Sequence, residues 1–133
     1  MQDRPTALEL LAAVRGFLEE LGPTLDGRRR FHALVAANVL QIVERELGGE
    51  EEQLGRQWER LAALLGVDVT ARPQPTSALR AAVRDLETRL ADRIRAGDAD
   101  AGEFADRVRA HVRATVVEKL AVANPRFLGG PPA

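Results

Sequence analysis

Phe31, Val35, Asn38, Ile42 and Arg45 follow one another at steps of four and three, which places all five on one face of a helix. The run FHALVAANVLQIVERE that carries them has an amide and a guanidinium in line with hydrocarbon. A buried amide costs a few kcal/mol unless it is hydrogen-bonded, so the spacing requires Asn38 either to find a partner on another helix or to face a cavity.

The same period recurs along most of the chain. Thr6-Ala7-Leu8-Glu9 has the form of a capping box, with Pro5 placed to staple onto Leu10, so a first helix opens at Thr6. Its stripe is Leu10, Leu11, Val14, Phe17, Leu18 and Leu21, and Gly22-Pro23 ends it, the glycine supplying a left-handed turn. A second helix runs from about Asp26 to Leu47 and stops at Gly48-Gly49. Glu50-Glu51-Glu52 suits the first turn of a third, whose buried face is Leu54, Trp58, Leu61 and Leu65, with Gly66 as terminator. Val67 to Thr76 holds Pro73 and Pro75 and lacks a helical period, so it reads as a linker. Thr76 or Ser77 caps a fourth helix with Leu79, Val83, Leu86, Leu90 and Ile94 on one stripe up to Gly97. A fifth begins near Glu103, is filled by Phe104, Val108, Val112, Val116 and Leu120, and ends around Asn124-Pro125.

The expected fold is therefore all-α: a single-domain bundle of about five helices over residues 1–128, up-and-down with a proline-containing crossover linker, and a disordered tail at 129–133. In simple alternation the second and fifth helices run antiparallel. That brings Asn38 near His111 and Thr115, and Lys119 close to His32.

Composition narrows the partners. The 133 residues are 45% hydrophobic and 29% charged, an ordinary globular balance, and 19 basic against 20 acidic residues give a net charge of −1. No global field favours nucleic acid or an anionic membrane. Four phenylalanines and one tryptophan offer few stacking surfaces for bases. There is no cysteine for a disulfide or thiolate site, no apolar run of bilayer length, and no secretory pattern at MQDRPTALELL, so the expected compartment is the cytoplasm. Every basic residue except Lys119 is arginine. Codon bias accounts for the arginines, and makes the one compact, adjustable ammonium worth following.

His32, Asn38, Arg45, His111, Thr115 and Lys119 lie on or beside the inner faces of the two longest expected helices. Together they form a candidate polar pocket for an anion or a carbonyl compound, the cations supplying charge and Asn38 directional hydrogen bonds. The competing reading is a structural network that fixes helix register, as buried asparagine does in coiled coils. No nucleophile or carboxylate orienter stands at a telling spacing from either histidine, which argues against a catalytic set. Nor do the histidines have metal-ligand spacing, and Asp98, Asp100, Gly102 and Glu103 lack the remaining ligands of a calcium loop. Arg28-Arg29-Arg30 opposes a helix dipole at its start and reads as a solvated turn. No phosphate loop or nucleophile elbow is present, and no cofactor is expected.

RFHALVAANVLQIVERE, VRATVVEKLAVANPRF and the opening DRPTALELLAAVRGFLEE resemble an uncharacterised bacterial family of small all-helical proteins, a domain of unknown function. The positions that carry the resemblance include Arg30, Phe31, His32, Ala36, Ala37, Asn38, Arg45, Glu46, Lys119, Asn124 and Pro125. It implies a setting beside, or fused to, aminoglycoside-phosphotransferase-like kinases and acyl-CoA dehydrogenases, and hence an accessory role in acyl-CoA or related metabolism. It implies no catalytic residues. The functional expectation is a non-enzymatic interaction module that associates with itself or with a kinase-like or dehydrogenase partner. The alternative is a binding protein or small enzyme for an acyl or phosphorylated compound, using the polar pocket between the second and fifth helices.

Overall fold

The computed structural model describes residues 3–129, so all but Gly129 of the expected tail lies outside the described residues. Four α-helices occur among them, with no strand: α1 (Ala7–Leu21), α2 (Gly27–Leu65), α3 (Thr76–Arg95) and α4 (Gly102–Ala123), with short 3-10 turns between α1 and α2, between α2 and α3, and after α4. The all-helical class agrees with the pattern; the count of five becomes four. None of these helices is long and apolar enough to cross a membrane.

The missing boundary is at Gly48-Gly49, which α2 passes through as one 39-residue helix. Glycine in a helix interior costs only about 1 kcal/mol relative to alanine, too little to stop a helix whose flanks are amphipathic. A Cβ added at Gly48 would meet only the tip of Leu8 at 3.9 Å, an ordinary contact. Gly48→Ala should therefore raise stability by about 1 kcal/mol in a urea titration. Gly55 is different: the Arg72 guanidinium lies 2.7 Å from where its Cβ would stand, so Gly55→Ala should gain nothing until Arg72 moves aside.

The residues group into two compact units, one running up to Gly49 with Val122–Asn124, the other comprising Glu50–Ala121 and the residues from Pro125. In the first unit α1 opens on the expected capping box, Thr6 Oγ1 accepting from the Glu9 amide at 3.2 Å and Glu9 Oε2 from the Thr6 amide at 2.7 Å. Gly22 does not take the expected left-handed turn. It stays right-handed at φ −51°, buried near Ala33, while Pro23 lies in the 3-10 turn that follows and Gly27, at φ +51°, supplies the left-handed residue where α2 starts. Leu8 lies near Gly48, Arg15 bonds Glu44 at 2.7 Å and Gly22 approaches Ala33, so α1 and the first half of α2 are antiparallel. The buried hydrophobic side chains here are only Ala33 and Ala37, and α1 buries none.

The second unit holds the core. Trp58, Leu61, Ala62 and Leu64 of α2 pack with Leu79, Val83, Leu86 and Leu90 of α3 and Val108 of α4. Those are largely the expected stripes, although Ile94, Val112 and Val116 at their ends are exposed. α3 begins at Thr76 without a side-chain cap; the Pro75 carbonyl accepts from Ala78 and Leu79 instead. Gly102, at φ +87°, turns the chain into α4.

Candidate functional site

α4 runs antiparallel to the Glu50–Leu65 part of α2, the part the pattern counts as a separate third helix. Arg107 donates to the Ala63 carbonyl at 2.9 Å, while Arg60 and Arg56, one and two turns earlier on α2, meet Glu118, three turns later on α4. Arg60 meets Glu118 as a two-pronged fork at 2.9 and 2.7 Å, and Arg56 Nε adds a third bond at 3.1 Å. These bonds from Arg60, with Arg56 behind them, hold the Glu118 carboxyl below the ordinary carboxylate range. Sequence reasoning missed this cluster. Its signal was the four-residue spacing of Arg56 and Arg60 on either side of buried Trp58.

His111 stands next to it and is the one buried polar residue among those described. Burial, reinforced by the positive charge of Arg60, pushes its imidazole pKa down despite the opposing fields of Glu87 and Glu118. The ring is thus neutral at pH 7, and its Nδ1 atom is enclosed without a partner. One turn on, Thr115 donates its hydroxyl to the His111 carbonyl at 3.0 Å.

A groove of about 300 Å³ lies between α3 and α4 along this stripe. Leu90, Ile94, Val112 and Val116 give it apolar walls, and Glu87, His111, Thr115 and Lys119 contribute its polar groups. Lys119 is exposed and has no ion-pair partner among the described residues. Glu87 is occupied by the Gln57 amide. The groove can hold a small amphiphilic molecule, with a neutral imidazole, a hydroxyl and one ammonium as orienting groups.

Of the six expected pocket residues, the structure brings His111, Thr115 and Lys119 together around this groove. His32, Asn38 and Arg45 belong to the first unit instead. There His32 and Asn38 are exposed, and half-buried Arg45 donates from Nε to the Val122 carbonyl at 2.7 Å. Asn38 thus lies on the open face of α2, with exposed Phe31, Val35 and Val39 around it.

A falling pH acts on His111 first. The unfolded chain takes up a proton near the ordinary imidazole value of 6.5, whereas the folded ring resists it, so stability should decline as pH drops below about 6.5. A second decline should begin below the carboxylate value of 4.5, as Glu118 leaves its folded ionised state. Urea midpoints measured at pH 7.5, 5.5 and 3.5 should show both, and His111→Gln should abolish only the first.

Fold and groove together define a small all-helical protein with an amphiphilic cleft and an open apolar face, and no assembled nucleophile and base among the described residues. The chain belongs to a family whose model, described as Domain of unknown function (DUF6285), matches residues 23–127, from the turn after α1 to the last 3-10 turn. No curated protein and no solved structure matches it.

Proposed function

We propose that the protein is a helical interaction module that works by docking its first unit onto another protein surface. One observation carries this reading. Leu8, Leu10, Val14 and Phe17 of α1, with Phe31, Leu34, Val35, Val39 and Leu47 of α2, are all exposed. Exposed large apolar side chains that recur on one face of a helix, rather than singly, mark an interaction surface. The faces are not scattered. Leu10, Val14 and Phe17 recur on one side of α1, and Phe31, Val35 and Val39 on one side of α2. The family resemblance points to cytoplasmic kinase-like or acyl-CoA dehydrogenase proteins as candidate partners, in an accessory role in bacteria.

The test is a pair of tagged chains in extracts of the source cell, wild type and Val35→Glu. The wild type should retain a defined partner, a copy of itself included, and the variant should lose it with helicity unchanged. Equal retention by both removes the reading.

The α3–α4 groove supports a second reading, ligand binding, on the strength of enclosed and unpartnered His111 Nδ1 beside a cavity. An acyl or phosphorylated small molecule would place its anion toward Lys119. A compound that binds only the folded state raises the melting temperature. Acyl-CoA esters and sugar phosphates should do so for the native chain and less for Lys119→Met.

A further inference from the structure

We infer that the groove between α3 and α4 takes a medium-chain hydroxy acid lying lengthwise, with its tail along Ile94, its hydroxyl at His111 and its carboxylate at Lys119. The inference rests on the ligand-binding reading above and names the ligand class. The two helices are antiparallel: the Arg93 guanidinium stands 4.0 Å over the Phe104 ring, and further along Glu87 shares a wall with His111. Position along the groove therefore runs from Ile94, through Ala91 and Glu87, to His111, Thr115 and Lys119, roughly 20 Å at the rise of an α-helix. Spread over that length, a volume of about 300 Å³ has the shape of an extended chain rather than of a nucleoside or a sugar. At about 30 Å³ for each water-sized group, it holds about ten of them.

The chemistry changes along the slot. Ile94, Val112 and Val116 on its walls are 41, 47 and 48% exposed, so a hydrocarbon tail laid along them takes apolar surface out of water on both sides of the contact. Midway stands His111, 8% exposed, with its Nδ1 atom enclosed and without a partner. A hydroxyl is donor and acceptor at once, so it suits either neutral tautomer of that ring, whereas a carboxylate only accepts and would there meet Glu87. Arg60, whose field also reaches the ring, is already taken up by Glu118. Lys119 is the one cation among the groove's lining residues and has no ion-pair partner among the described residues. Charge thus fixes the direction: Glu87, beside the imidazole, repels an anion that Lys119 attracts. The flexible four-carbon stem of Lys119 spans part of the two turns between it and His111, so the hydroxyl belongs near the acid and the long apolar part beyond it.

Calorimetric titration of the full chain with 3-hydroxydecanoate, decanoate and methyl 3-hydroxydecanoate tests this. The hydroxy acid should bind about tenfold more tightly than either comparison, the factor that one hydrogen bond is ordinarily worth. His111→Phe should erase the preference over decanoate while leaving decanoate binding as it was, and Lys119→Met should erase the preference over the ester. Val112→Trp, which fills the slot from an exposed wall position, should abolish binding of all three. The chain has only two histidines, so the imidazole nitrogen resonances of His111 can be read directly. 3-Hydroxydecanoate should shift them and leave those of His32 in place, a measurement that decides the matter even where His111→Phe fails to fold. Equal affinity for the hydroxy acid and decanoate, or unmoved His111 resonances, overturns the inference, as does binding that survives Val112→Trp. If none of the three binds while acyl-CoA esters or sugar phosphates still raise the melting temperature through Lys119, the ligand class falls and the ligand-binding reading stands. If nothing raises it, both fall.

Discussion

Trp58→Ala should cost about 3–5 kcal/mol of unfolding free energy, the largest loss expected from any single change in the chain. Trp58 is 2% exposed, and its indole is packed between α2, α3 and α4 with Leu61, Leu79 and Leu86. Those neighbours are anchored by their own helices, so they cannot collapse into the space the ring leaves. The cost is lost transfer energy plus a cavity. Because the first unit buries only alanines, almost all the hydrophobic stabilisation of the described residues depends on this one cluster, and a loss of that size takes a large part of a small domain's margin. Urea denaturation monitored at 222 nm tests it, with Leu8→Ala as control. Leu8 is exposed, and its truncation should move the midpoint little.

Glu118→Gln should cost about 2 kcal/mol at neutral pH. The carboxylate accepts three arginine hydrogen bonds, and its side chain is 20% exposed, so screening by water is incomplete. An amide has one acceptor oxygen and turns donor hydrogens toward the other guanidinium contact. Arg60, whose Nε already lacks a partner, would then keep a partly buried charge with half its fork. The pH dependence identifies the cause. Since the folded-state pKa of Glu118 is depressed, its contribution is full above 4.5 and disappears as acid protonates the folded carboxyl. The difference between wild type and Glu118→Gln should shrink toward zero in the same range, whereas a packing defect would persist.

The fold was legible where the chemistry was local. Thr6 and Glu9 announce their capping box three residues apart, Pro75 and Pro125 place helix boundaries, and Leu79, Val83, Leu86 and Leu90 declare a buried face by period alone. Gly48-Gly49 misleads because a glycine pair resembles a terminator, while the tertiary setting decides whether about 2 kcal/mol of propensity matters. The same merger of two expected helices into one changes the register. α4 lies along the second half of α2, so Glu118 reaches Arg56 and Arg60, and Asn38 falls in a different unit from His111. Period reports which residues share a face, and is silent on whether that face is covered within the chain. Asn38 and Trp58 both sit in stripes of equal quality, yet one is open and the other buried.

The lack of any buried side chain in α1 bears on how that helix breathes. With only the Thr6 box, the Arg15–Glu44 pair and edge contacts to secure it, α1 should release its amide protons to deuterium far sooner than α3.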